Sequence, residues 1–191
     1  MDDLFAAADE HHSLFFALLP APPVVAGIRA AQQALEAVLP PQCGAGVPDA
    51  RLHLTVHWLG EWSQLPQALV EDACIAAAQV SLPGFGLRLD QAECFGHGES
   101  IWVLRPSEPP PQLASLHQAL AAALAARRIR LPPGPAFAPH VTVRRRASVR
   151  FPPRPVPAVE WQVGGFGLLQ SLRTQGGTRY AVLGEWPLGT G

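Results

Sequence analysis

The stretch His53-Leu54-Thr55-Val56 occurs a second time as His140-Val141-Thr142-Val143. Each copy is a His-x-Thr set among aliphatic and β-branched residues, the composition of a strand. Strand side chains alternate between faces. In each copy the histidine and threonine therefore point one way and the two aliphatics the other. Brought side by side, the two strands give a cleft with two imidazoles and two hydroxyls on its walls.

Working outward from the first copy, residues 51–59 read as its strand, stopped by Gly60. A Gly- and Pro-rich loop over 43–49 precedes it. Before that loop, Pro22-Pro23 opens a helix marked by Val25, Ile28, Ala31, Leu35 and Val38. Residues 13–19, a continuous apolar run closed by Pro20, read as a buried strand. Beyond the first copy, 63–80 read as a second helix. Residues 85–93 and 100–104 make a hairpin across Gly96-His97-Gly98. The third helix spans 113–128, with Leu113, Leu116, Leu120 and Leu124 as its stripe and arginines at its C-terminal end, where they suit the helix dipole. A loop over 131–135 leads to the second copy. A proline-broken stretch (Pro152, Pro153, Pro155, Pro157) follows, and 161–172 and 179–186 read as strands joined across Gly176-Gly177. The order β-α-β-α-β-β-α-β-β-β implies an α+β fold with helices outside antiparallel sheets. The repeated motif implies two related lobes meeting along a seam. Residues 1–12 read as a flexible tail and 13–191 as one domain of two lobes.

The totals agree with a packed domain. Of 191 residues, 48% are apolar and 15% charged, below the usual quarter, which argues against disorder. Every basic residue is arginine. With no lysine, Schiff-base and P-loop chemistry are excluded, since both need its amine. Residues 1–126 hold thirteen acids and four arginines; residues 127–191 hold two acids and ten arginines. Such a basic half can attract a phosphate-bearing partner, although a solvated edge explains most of these arginines equally well. Cys43, Cys74 and Cys94 have no metal-ligand spacing and read as reduced thiols. His53 and His57 lack the helical Glu of a zinc motif, so no metal is expected. His57 reads as a polar residue at the strand's exposed end, or a rim residue of the cleft. The N-terminus is acidic and no apolar run reaches membrane-spanning length. A soluble, cytoplasmic monomer is expected.

Histidine holds or releases a proton near neutrality. Two imidazoles on opposite sides of a substrate can act as base and acid together. Displacement at phosphorus uses that arrangement without a metal. One ring takes a proton from the attacking oxygen and the other gives one to the leaving oxygen. The threonine hydroxyls donate to the non-bridging oxygens, where charge concentrates. A guanidinium adds bidentate donors. Strand alternation assigns that guanidinium to Arg144. A nucleobase would need an aromatic platform, for which Phe16, Trp58, Trp102 and Phe137 are candidates.

These residues, with the flanking runs LFFALLP (14–20), RLHLTVHWLGEW (51–62), FAPHVTVRRR (137–146) and RYAVLGEWPL (179–188), resemble the LigT-like RNA 2′,3′-cyclic phosphodiesterases, also called 2′-5′ RNA ligases, of the two-histidine phosphoesterase superfamily. The resemblance implies a bilobal, pseudo-symmetric fold of two antiparallel sheets enclosing a central cleft. It also implies metal-free opening of a 2′,3′-cyclic phosphate to a 2′-phosphate without any cofactor, and in some relatives reversible 2′-5′ joining of RNA ends. By resemblance His53 and His140 are catalytic, and Thr55, Thr142 and Arg145 bind phosphate. Arg145 thus competes with Arg144 for the last place. The expected partner is RNA with a cyclic phosphate end, or a small cyclic nucleotide. Two rival readings keep the same residues. One is a phosphodiesterase for a small nucleotide such as ADP-ribose 1″,2″-cyclic phosphate; the other is a module that binds RNA ends without chemistry.

Overall fold

The computed structural model of the chain describes residues 10–41, 44–96 and 100–189. Its first strand, β1 (His11–Leu18), is buried on both faces because its side chains alternate between two apolar clusters. Leu14, Phe16 and Leu18 enter the main core. Phe15 and Ala17 join Leu169, with Leu19 and Tyr180 packed beside them. The chain continues as α1 (Pro22–Ala37), the two-residue strand β2 (Ala45–Gly46), a 3₁₀ turn over Asp49–Arg51, β3 (Leu54–Trp62), α2 (Gln67–Ala77), β4 (Phe85–Phe95), β5 (Ser100–Arg105), α3 (Pro111–Ala126), β6 (Val141–Ala147), β7 (Arg154–Val163), β8 (Gly165–Thr174) and β9 (Gly177–Pro187).

The strands lie in the order β7-β4-β5-β6-β3-β1-β8-β9, every neighbouring pair antiparallel, with β2 along β6. β3 and β6 are joined through the single pair Leu54–Val141. The strands thus form one continuous sheet where two were expected, with β7, β4, β5 and β6 on one side of that seam and β3, β1, β8 and β9 on the other; each side is called a lobe below. Each motif strand follows a strand–helix unit: β1 and α1 precede β3, and β5 and α3 precede β6. The helices pack against the strands and against one another. α1 leaves the lobe containing β1 and packs on β7 of the other lobe; α2 and α3 pack together, with α2 touching β9 and α3 touching β3. Leu113, Leu116, Leu120 and Leu124 of α3 are fully buried, as their spacing implies.

Several boundaries differ from the sequence reading. β1 starts at His11, so the end of the expected tail belongs to a strand; residues 1–9 lie outside the described residues. Gly60 does not stop the first motif strand, which runs on to Trp62. With no side chain, Gly60 takes a φ of 140° and lies under the Trp62 ring, where a Cβ would come 2.6 Å from it. α2 is shorter than the 63–80 expected. The expected strand over 161–172 is two strands broken at Gly164, and the proline-broken stretch is part of the first of them. β7 accommodates Pro155 and Pro157 because it is the outermost strand of its lobe, where missing amide donors leave no partner unsatisfied. Cys43 and most of the expected turn at 96–98 fall outside the described residues. Cys74 and Cys94 are free thiols. No helix among the described residues is long and apolar enough to cross a membrane.

α1 meets β7 through Gly27, where a Cβ would come 3.0 Å from Val159 Cγ1. Gly27→Leu should overpack this contact and cost about 1–3 kcal/mol in urea unfolding. The companion change Val159→Ala should return part of that loss.

Candidate active site

Both motif strands carry the same irregularity at the same place. In β3, Phe16 pairs with His57 and Ala17 with Thr55, leaving Val56 as an extra residue. In β6, Trp102 pairs with Arg144 and Val103 with Thr142, leaving Val143 as an extra residue. A bulge of this kind resets the alternation of faces beyond it. The fifth residue of each motif, His57 or Arg144, therefore turns to the core, and the sixth, Trp58 or Arg145, turns to the cleft. Arg145 lines the hollow beside His53 and Thr142. The alternation reading placed Arg144 there and is corrected by the bulge. Arg144 lies over the Trp102 ring, 5.6 Å from its centroid, and donates to Glu36 Oε1 at 2.7 Å and to the Gly44 carbonyl at 3.0 Å.

The seam pair Leu54–Val141 brings the two motifs together head to tail. Antiparallel register then sets His53 opposite Thr142 and Thr55 opposite His140. Accordingly, His53 and Thr142 share a small polar hollow of about 80 Å³ with Arg51, Arg145 and Tyr180. Thr55 and His140 line an adjoining chamber of about 900 Å³ with Trp58, Phe95 and Phe137.

The imidazoles are held alike. His53 Nδ1 lies 2.8 Å from the Arg51 carbonyl, and His140 Nδ1 lies 2.7 Å from the Ala138 carbonyl, two residues back in each case. A carbonyl only accepts, so each Nδ1 carries the proton and each Nε2 is left for the cleft. Ring contacts fix the planes: Phe15 and Tyr180 pack on His53 at 4.9 and 5.5 Å, and Phe95 meets His140 edge-on at 4.8 Å. Burial lowers the His53 pKa, and the charges of Arg145 and His140 lower it further, against the opposing pull of the carbonyl bond. The His140 pKa is lowered by burial first, then by Arg145 and Arg105, again against its carbonyl bond. Both rings are therefore neutral at pH 7, each with a lone pair on Nε2.

Each connecting helix holds the loop that supplies the carbonyl. On α1, Arg29 Nε donates to Asp49 Oδ1 at 2.7 Å, and its guanidinium also donates to the Val47 carbonyl. A partly buried relay from Arg29 through Gln32 to Glu36 joins this grip to Arg144. On α3, the His117 ring stacks on Phe137 at 4.2 Å and on His57 at 4.0 Å. His57 Nε2 donates to the His117 carbonyl at 2.8 Å. His57 is thus a buried member of a three-ring column that borders the larger chamber, as its rim reading allowed, and not an exposed polar residue at the strand's end. Burial lowers the pKa of His57 and of His117, which suits neutral rings in contact.

Of the aromatic candidates, Phe16 and Trp102 are fully buried in the core and reach no ligand. Trp58 is 46% exposed on the chamber wall, its indole N–H donating to Ser13 Oγ at 2.9 Å. Phe137 is half-buried in the column. Phe95, Tyr180 and Arg51 line the site, and Phe15 backs the His53 ring, without having been singled out from sequence. The pairing of Phe15 and Tyr180 around His53 depends on β1 and β9, which no local pattern connects. Among the described residues, no three His, Cys, Asp or Glu side chains converge to hold a metal ion.

Comparison with known proteins follows this geometry. Residues 19–175 match the profile of the 2′-5′ RNA ligase superfamily. The chain is 35% identical over 156 residues to an RNA 2′,3′-cyclic phosphodiesterase of Escherichia coli (strain K12), covering 78% of this chain and 82% of that protein. Among solved structures it is similar to E. coli LigT in its apo form, with TM-score 0.77, 28% identity, and coverage of 95% of this chain and 99% of that one. It is also similar to TT0787 of Thermus thermophilus, with TM-score 0.75, 26% identity, and coverage of 93% and 98%.

The two neighbouring arginines should separate stability from turnover. Arg144→Ala removes charge-assisted bonds and should cost about 2 kcal/mol in denaturant unfolding, with turnover per folded molecule little changed. Arg145→Ala should leave the unfolding midpoint in place and lower turnover about 10²–10³-fold.

Proposed function

The chain belongs to the 2′-5′ RNA ligase superfamily, and from that premise we propose that its cleft opens the 2′,3′-cyclic phosphate of an RNA end to a 2′-phosphate. The observation that carries this reading is the duplicated presentation of Nε2 by His53 and His140 around one guanidinium, Arg145.

In the reaction, His140 takes a proton from water as its oxygen bonds to phosphorus. The P–O3′ bond breaks, and His53 gives a proton to O3′. Thr55, Thr142 and Arg145 donate to the non-bridging oxygens. Each acid or base step of this kind contributes about 10²–10⁴-fold. A free enzyme with two neutral rings needs one proton in place before it can act as an acid. The phosphate supplies the reason to take it up: its negative charge offsets Arg145 and raises both imidazole pKa values. Trp58 offers its exposed face to the base of the terminal nucleoside. A 5′-hydroxyl can replace water in the same geometry, which would give 2′-5′ joining.

The direct test is product analysis on RNA ending in a 2′,3′-cyclic phosphate, with EDTA present. A 2′-phosphate product with undiminished rate is expected. Complete inhibition by the chelator, or tight binding without turnover, would contradict the reading. Turnover only of ADP-ribose 1″,2″-cyclic phosphate would move it to a small-nucleotide substrate. The roles of the two rings can be separated with a sulfur leaving group at C3′, which departs without protonation. It should restore much of the activity of His53→Ala and none of that of His140→Ala.

The pH dependence has a definite sign. One ring must be protonated and the other neutral, so kcat/KM peaks between the two free-enzyme pKa values. Both lie below the usual 6.5, and the maximum should therefore fall on the acid side of that value. Arg145→Gln removes a charge that lowers both and should move the kcat/KM maximum to higher pH, however much its height falls.

A further inference from the structure

We infer that a groove at the C-terminal end of α3 carries the phosphodiester backbone of an RNA strand whose cyclic end lies in the cleft. The inference rests on the cyclic-phosphate reading above and extends it to the body of the substrate. The groove, about 660 Å³, is walled by Ala121 and Ala125 on one side and by Arg128, Arg130 and Leu131 on the other. Leu131 also lines the chamber that holds Thr55 and His140. The groove and the chamber therefore meet at Leu131, at the start of the loop that walls the chamber.

Its arginines are not explained by folding. α3 ends in a closing turn in which Arg128 N–H donates to the Ala125 carbonyl at 2.9 Å and Ile129 N–H to the Leu124 carbonyl at 3.0 Å. That turn needs a left-handed residue and ordinarily takes glycine. Here Arg128 takes it, with φ of 61°, a conformation unfavourable to any residue with a Cβ. The helix dipole is already complemented by Arg127 at the C-cap, whose guanidinium is paired with Asp72. Arg128 and Arg130 are exposed and form no ion pair among the described residues. The alanine walls leave room for a chain to lie along them. Two unpaired guanidiniums beside a shallow groove fit the sugar–phosphate track of a single strand, which they would hold without reading its bases.

The test compares a 2′,3′-cyclic mononucleotide with a ten-nucleotide RNA ending in the same group, using Arg128→Gly, Arg130→Gln and the double variant. Glycine suits the left-handed turn, so folding is preserved. The double variant should raise KM for the RNA about tenfold and flatten the slope of log KM against log salt by about 1.4, the change for two lost single-strand phosphate contacts. Mononucleotide kcat and KM should be unchanged. An RNA KM and salt slope equal to the parent's would overturn the proposal. Fluorescence anisotropy with a labelled ten-mer ending in a 2′-phosphate reads the groove independently of turnover. If the parent protein hydrolyses neither substrate, the cleft reading fails. Equal ten-mer affinity in parent and double variant would then overturn the groove, and weaker binding by the double variant would support it.

Discussion

The hydrogen bonds from His53 and His140 Nδ1 to the carbonyls of Arg51 and Ala138 govern how the cleft can work. An imidazole free to rotate or to exchange tautomers would present the wrong nitrogen for part of the time. A carbonyl two residues back leaves one choice. Much of the surrounding structure serves those two carbonyls. The grip of Arg29 on the Asp49 turn steadies the first, and the stack of Phe137 on His117 steadies the second. One lobe solves the problem with charge and the other with stacked rings. The seam between Leu54 and Val141 then places the two solved halves against each other.

The twin bulges at Val56 and Val143 give that seam its chemical contrast. They send the fifth residue of each motif inward and the sixth into the cleft. In the second lobe the sixth residue is Arg145, a positive charge. In the first it is Trp58, a flat apolar face. The duplicated scaffold therefore presents unlike groups on its two walls. Arg144, one position earlier, becomes part of a partly buried relay with Glu36, Gln32 and Arg29. The Glu36 carboxyl is held below its usual range by hydrogen bonds from Arg144 and Gln32 and by the charges of Arg144 and Arg29, which together outweigh its partial burial. It stays ionised where the relay needs a charge.

Much of this was legible along the chain because periodicity carries it. The leucine stripe of α3, the alternation in β4 and the two His-x-Thr runs gave the order of elements and the pairing of the lobes. The failures share one cause. Alternation assumes an unbroken strand, and a bulge has no local signature in the valines that form it. Arg144 was misplaced for this reason. The prolines of β7 hid a strand because whether a strand lies at an edge depends on its neighbours, not on its own residues. Phe15 and Tyr180, distant in sequence, converge on His53 through β1, β8 and β9. Nothing in either segment announces that meeting.

The account depends on two rings sharing one phosphate. Imidazole nitrogen NMR during titration with a nucleoside 2′-monophosphate measures this directly. The Nε2 signals of His53 and His140 should move together along one saturation curve, while both Nδ1 atoms remain protonated. Movement of one ring alone, or an exchange of tautomer at either, would contradict it.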